Sequence, residues 1–139
     1  MVDLDVVTAK ISTLERCLAR IESTRSQLGL AEADRDDITA LNLERAIQAV
    51  MDLAIHVVAT EGYGVPDSAG DSFRLLGERR IIPGDLVERL RKMVGFRNIS
   101  IHDYRKLDPA IFQSIIAGRL GDLREFAARL IDAFGLASS

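Results

Sequence analysis

Between Gly95 and Tyr104 the chain reads Gly-Phe-Arg-Asn-Ile-Ser-Ile-His-Asp-Tyr, which gathers a guanidinium, a carboxamide, an imidazole and a phenol in one short run. On a helix, at about 100° per residue, Tyr104, Arg97, Ile101, Asn98 and His102 follow one another over an arc of about 160°. These residue types together suit cleavage of an RNA phosphodiester. The 2′-hydroxyl can attack the neighbouring phosphorus, so the protein needs only to move protons and stabilise a more highly charged phosphorane. A histidine titrates near neutrality and can take or give the proton. An arginine supplies a permanent, planar, two-pronged contact to phosphate oxygens. Asn98 would fix the imidazole tautomer or a phosphate oxygen, and neither metal nor cofactor is called for. A lone histidine and arginine on a helix are also commonly a satisfied structural pair, so the residues alone leave both readings open. Cleavage uses a base and an acid, whereas the run holds one histidine. A two-fold dimer would supply second copies of Arg97 and His102 across an isologous interface.

The elements that must position this run are helical. Leu4, Val7, Ile11, Leu14, Leu18 and Ile21 alternate spacings of three and four, a narrow seam for another helix inside the fold or across a subunit boundary. Asp34, Asp36 and Asp37 read as the start of a second helix, where carboxylates favour the positive end of the dipole. That helix runs to about Thr60 and is apolar almost all round. A thin polar stripe along it, Glu44 or Arg45, then Gln48, Asp52 and His56, faces either solvent or an internal polar site. The turn-rich stretch 61–70 ends it. A short helix with Phe73, Leu75 and Leu76 follows, then a fourth helix introduced by Pro83-Gly84-Asp85, and a fifth opened by Asp108-Pro109 and carried on to Phe134. Gly118 and Gly121 weaken that last helix locally. The expected architecture is an all-α, up-and-down bundle of four long helices and one short one, in a single domain spanning residues 1–139.

Composition narrows the function classes. With 139 residues, 47% of them apolar and 28% charged, the chain suits one hydrophobic core. Two acids in the first five residues, where a secretory signal carries positive charge, lead us to expect a cytoplasmic protein. A single cysteine, Cys17, permits no internal disulfide and no cysteine-built zinc site. The absence of Trp argues against an aromatic platform for stacked bases. The net charge of −3 conceals a division: Arg74 to Lys106 carries nine bases against four acids, leaving an acidic remainder. Arg79, Arg80, Arg91, Lys92 and Arg105 are therefore candidate contacts to RNA phosphates, the alternative being a solvated, arginine-rich helix face.

The string Arg97 to Tyr104, preceded by Met93-Val94-Gly95-Phe96, resembles the signature of the HepT family of the HEPN superfamily: an Arg, four residues, a His, one residue, a Tyr. Arg45, Gln48 and Asp52, the Gly64 to Pro66 loop, Phe73-Arg74-Leu75-Leu76 and the Asp108 turn fall where that family has similar features, so the resemblance spans nearly the whole chain. It implies the toxin of a type VII-like toxin–antitoxin pair: a metal-independent endoribonuclease without a cofactor, dimeric through the helices that bear the motif. Arg97 and His102 would be catalytic and Asn98 would support them. It also implies a partner, an MNT-type nucleotidyltransferase antitoxin, understood in that family to neutralise the toxin by moving AMP from ATP onto the motif tyrosine, here Tyr104. Arg45, Gln48, Asp52 and His56 then become candidates for a supporting layer around the motif. The competing reading is a non-catalytic HEPN-type module that binds a nucleotide or the partner enzyme.

Overall fold

Local chemistry sets where each helix begins and ends. In the computed structural model, which describes residues 1–135, the helices are α1 (Leu4–Ser26), α2 (Glu32–Glu61), α3 (Asp71–Glu78), α4 (Gly84–Asp103), α5 (Pro109–Gly118) and α6 (Leu120–Phe134), with a 3-10 turn at Tyr104–Lys106. Asp3 caps α1 by accepting from the backbone N–H groups of Asp5 and Val6. Gly62 closes α2 at a φ of 70°, a left-handed conformation in which a side chain is strained. Asp108 caps α5, with Pro109 in the first turn where a missing N–H costs nothing. Among the described residues there is no strand.

α2 is the central rod: it packs against α1, α3, α4 and α6. Its buried positions run from Thr39 to Val58, as an almost uniformly apolar helix requires. The seam of α1 is spent inside the fold on α2, with Val7, Leu14, Leu18 and Ile21 essentially inaccessible while Leu4 at its start is exposed. It is therefore not a surface left over for a second subunit. The N-terminus is fastened to the far end of α2. The Met1 ammonium donates to the Thr60 carbonyl at 2.7 Å and the Asp3 N–H donates to His56 Nε2 at 3.1 Å.

The expected fifth helix is two helices. The chain breaks at Arg119, whose φ of −116° and ψ of −5° depart from ideal helix values, directly after Gly118. Glycine makes this the weakest point of the run. The break lets Leu120, Leu123, Phe126 and Leu130 of α6 enter the core, where Phe126 meets Phe73 edge-on at 5.5 Å.

The α3–α4 corner fixes where α4 starts and so which way its motif face points. Gly77 allows a close approach there: a Cβ at that position would lie 2.7 Å from Val87 Cγ2, a branched side chain with little freedom to withdraw. We expect Gly77→Ala to destabilise the protein by about 1–2 kcal/mol despite alanine's better helix propensity. Val87→Ala should cost less stability in that background than in the native sequence, because the two positions share one contact. Urea unfolding of the four proteins of this cycle measures both.

Candidate functional site

The motif leaves α4 on the side that meets α2, and its first member, Arg97, is oriented through a relay that crosses three helices. Arg97 Nη2 donates to Gln48 Oε1 of α2 at 2.5 Å. Gln48 Nε2 donates to Asp52 Oδ1 at 2.8 Å, and Asp52 Oδ2 is paired with Lys10 Nζ of α1, also at 2.8 Å. Arg97 Nη1 donates to Asn98 Oδ1 at 3.1 Å. The Nε–H of Arg97 is buried and has no partner among the described residues. A second tie lies further along the same two helices, where the buried Ser100 hydroxyl donates to Glu44 Oε1 at 2.7 Å.

Arg97 and Asn98 open onto a cleft of about 350 Å³, completed by Arg91 and Val94 of α4, Met51 of α2 and the loop Ser68–Gly70. A phosphate-sized anion there would meet two cations and a carboxamide. His102 is exposed, and five residues along a helix place it about 140° round from Arg97. Within one chain the imidazole and the guanidinium therefore diverge. Beside them in the chain, Ile99 and Ile101 of α4 are 51% and 47% exposed, so apolar side chains flank a polar motif.

Tyr104 lies just beyond α4, at the first residue of the 3-10 turn rather than on the helix. Its ring packs on Phe112 at 6.0 Å, and Phe112 stacks on Phe96 at 6.2 Å. The phenol donates a hydrogen bond to Asp37 Oδ1 at the start of α2. That hydrogen bond, then partial burial, then the negative charges of Asp37 and Asp36 push the phenol up to about 12, against a smaller opposing effect of Arg105.

Of the supporting residues expected from the sequence, Gln48 and Asp52 join Arg97. His56 instead receives the Asp3 N–H, and Arg45 is exposed, its charge acting on Cys17 of α1. The candidate phosphate contacts do not form one surface. Arg91 shares the cleft with Arg97, whereas Lys92 lines a separate cavity of about 250 Å³ with Phe96, Ile111 and Arg119. Arg79 lies 4.9 Å over the Tyr63 ring, Arg80 is exposed in a left-handed turn at φ 57°, and Arg105 pairs with Asp103 at 2.9 Å. Periodicity could not find Asp37, Lys10 or the Ser100–Glu44 tie, because each is a contact between helices distant in sequence.

An all-α chain that presents Arg, four residues, His, one residue, Tyr at the end of one helix, against a polar line on its neighbour, is a protein of the HEPN type. Comparison with known proteins narrows this: the family model described as Ribonuclease HepT-like matches residues 14–130, and the chain belongs to that family. It is 36% identical over 124 residues to the mRNA nuclease HepT of Shewanella oneidensis, covering 88% of this chain and 93% of that protein. Among solved structures it is similar to a toxin–antitoxin with AMP-PNP, at a TM-score of 0.84 and 34% identity over 92% of this chain and 98% of the other. It is also similar to a tri-AMPylated Shewanella oneidensis HEPN toxin in complex with MNT antitoxin, at a TM-score of 0.83 and 34% identity with the same coverage.

The contact to Asp37 has a measurable consequence. A hydrogen bond to the protonated phenol and nearby negative charge both favour the proton-bound form, so the ionisation midpoint of Tyr104 should lie near 12 and not near 10. The stabilisation this contributes is fully present below about pH 10 and is lost as pH rises through about 12. In a Tyr63→Phe background, phenolate absorbance should show that raised midpoint, and Asp37→Asn should lower it toward the ordinary value.

Proposed function

We propose that this chain is the toxin of a HepT/MNT pair, a cytoplasmic, metal-independent endoribonuclease that works as a homodimer and is neutralised by AMP transfer to Tyr104. The observation that carries the reading is Arg97. It is turned into a cleft by a neutral acceptor, Gln48, and no carboxylate among the described residues pairs with it. A charge oriented and left unspent is what a phosphorane needs and what a structural ion pair lacks. The family to which the chain belongs, and the names of the relatives it matches, agree with this reading.

In the proposed reaction the 2′-hydroxyl of the RNA is the nucleophile, already held next to the phosphorus by the ribose. The remaining work is proton transfer and charge stabilisation, which suits His102 and Arg97 with Asn98 between them. The divergence of His102 from Arg97 within one chain favours a cleft shared by two chains, where one protomer's imidazole reaches the other's arginine. The exposed Ile99 and Ile101 beside the motif support a face covered by a second copy. Neutralisation follows the same electrostatics. A nucleotide on Tyr104 would extend bulk and negative charge from the end of α4 toward the cleft that receives the RNA phosphate.

The test is intact mass of the chain expressed with and without the antitoxin, followed by RNA digestion with the unmodified form in the presence of EDTA. Arg97→Ala and His102→Ala should each lower cleavage by about 100-fold or more while the protein stays folded and dimeric. Equal, negligible cleavage by all three proteins, with no mass increase, would favour the nucleotide- or partner-binding module instead. Tyr104→Phe should cleave RNA as the native chain does and escape neutralisation by the antitoxin. Loss of cleavage in that variant would make the phenol part of the nuclease.

A further inference from the structure

The sequence marks Asp37 only as one of three acids opening α2, but the fold brings its carboxylate to the hydroxyl of Tyr104, 67 residues away. We propose that Asp37 is the general base for nucleotide transfer to Tyr104, which rests on the reading of Tyr104 as the AMP acceptor. The co-reactant is a nucleoside triphosphate held by the nucleotidyltransferase partner. In the step, Tyr104 Oη attacks the α-phosphorus, an O–P bond forms, the bond from that phosphorus to pyrophosphate breaks, and the phenol proton passes to the Asp37 carboxylate and then to water. Nothing is oxidised or reduced.

Three observations support this role. A nucleophile hydrogen-bonded to a base is the arrangement that activates a weak hydroxyl, and here the donor is the acceptor tyrosine's own reacting oxygen. The ring is backed by Phe112 from α5, so the hydroxyl is presented at the outer edge of the fold rather than into the core. The chemistry also needs the help: even an ordinary phenol, titrating near 10, is only about one part in 10³ phenolate at neutral pH, so attack by free phenolate is slow. A carboxylate already in contact can accept the proton as the O–P bond forms. The charged groups around the pair are Asp36 of α2, itself 3.8 Å from Arg25 of α1, and Asp103 and Arg105 at the α4 end, which pair with one another. Asp37 and Gln48 are three turns apart along α2, so the base lies away from the arginine relay that serves RNA.

The experiment measures single-turnover AMP incorporation into the full-length native chain, Asp37→Asn and Asp37→Glu, using ATP and the purified antitoxin, over a range of pH. Asparagine keeps an acceptor for the phenol but is no base. We expect Asp37→Asn to slow incorporation about 100-fold or more and Asp37→Glu to recover part of the rate. The ratio of the Asn variant to the native chain should climb with pH as hydroxide takes over the proton; taking the ratio removes the antitoxin's own titration. RNA cleavage by the unmodified variants reports that the fold is intact. Incorporation into Asp37→Asn at the native rate, or slowed by a factor that does not change with pH, overturns the base. Native chain that takes no AMP at Tyr104 overturns the acceptor reading itself, and the inference with it.

Discussion

Everything at the motif depends on orienting Arg97 without neutralising it. A guanidinium pointed by a carboxylate is an ion pair whose charge is largely spent on its partner. Here the immediate partner is the carboxamide of Gln48, and the carboxylate behind it, Asp52, is balanced by Lys10. The relay passes direction from α1 through α2 to α4 while leaving one net positive charge at the cleft. It also links the catalytic reading to the core, because the relay closes only if α1 and α4 lie on α2 in the register that their buried stripes impose. Ser100 and Glu44 repeat the α2–α4 tie one turn further along α4, so the helix is held against rotation at two points. Rotation by a single residue, about 100°, would turn Arg97 out of the groove.

Neighbouring cations show the contrast. Arg74 is gripped by Asp71 and Glu78, and its guanidinium beside Asp71 holds that carboxyl down to about 2. Arg89 reaches Asp85, Asp122 and Glu125. These arginines join helices and turns through full ion pairs, and the basic excess between Arg74 and Lys106 is partly consumed by them. Segment charge therefore overstates what is available to a polyanion. Arg91 and Arg97 are the pair that share a cleft.

How much was legible follows from the range of each interaction. The helices were legible because burial on one face imposes a period within a single segment, and the caps at Asp108-Pro109 and Gly62 are signals local to a few residues. The motif was legible as a run and as a family resemblance. The split of the last helix was marked by Gly118, but its occurrence depends on what α6 gains by turning Phe126 toward Phe73, which no local period carries. The stripe on α2 was correctly seen as polar, yet sequence could not separate Gln48 and Asp52, which serve Arg97, from His56, which serves the N-terminus. Spacing places residues on one line of a helix; which stretch of that line meets which neighbour is decided by tertiary contact. Asp37 is the extreme case, since as a helix-start acid it already had a sufficient local explanation.

On the proposed function, the position of Tyr104 lets one residue connect two chemistries. It stands where α4 gives way to a 3-10 turn, between the acidic opening of α2 on one side and the motif on the other. Unmodified, its hydroxyl closes a contact from the end of α4 to the start of α2. A phosphodiester at that oxygen has no proton to donate and carries negative charge, so the contact to Asp37 becomes repulsion at the same position. On the proposed reading, the carboxylate that assists transfer also drives the product away from itself, and the cationic direction open to the nucleotide is toward Arg105 and Arg97. On that reading, Tyr104 and Arg97 need not touch in the unmodified protein for the modification of one to occupy the other.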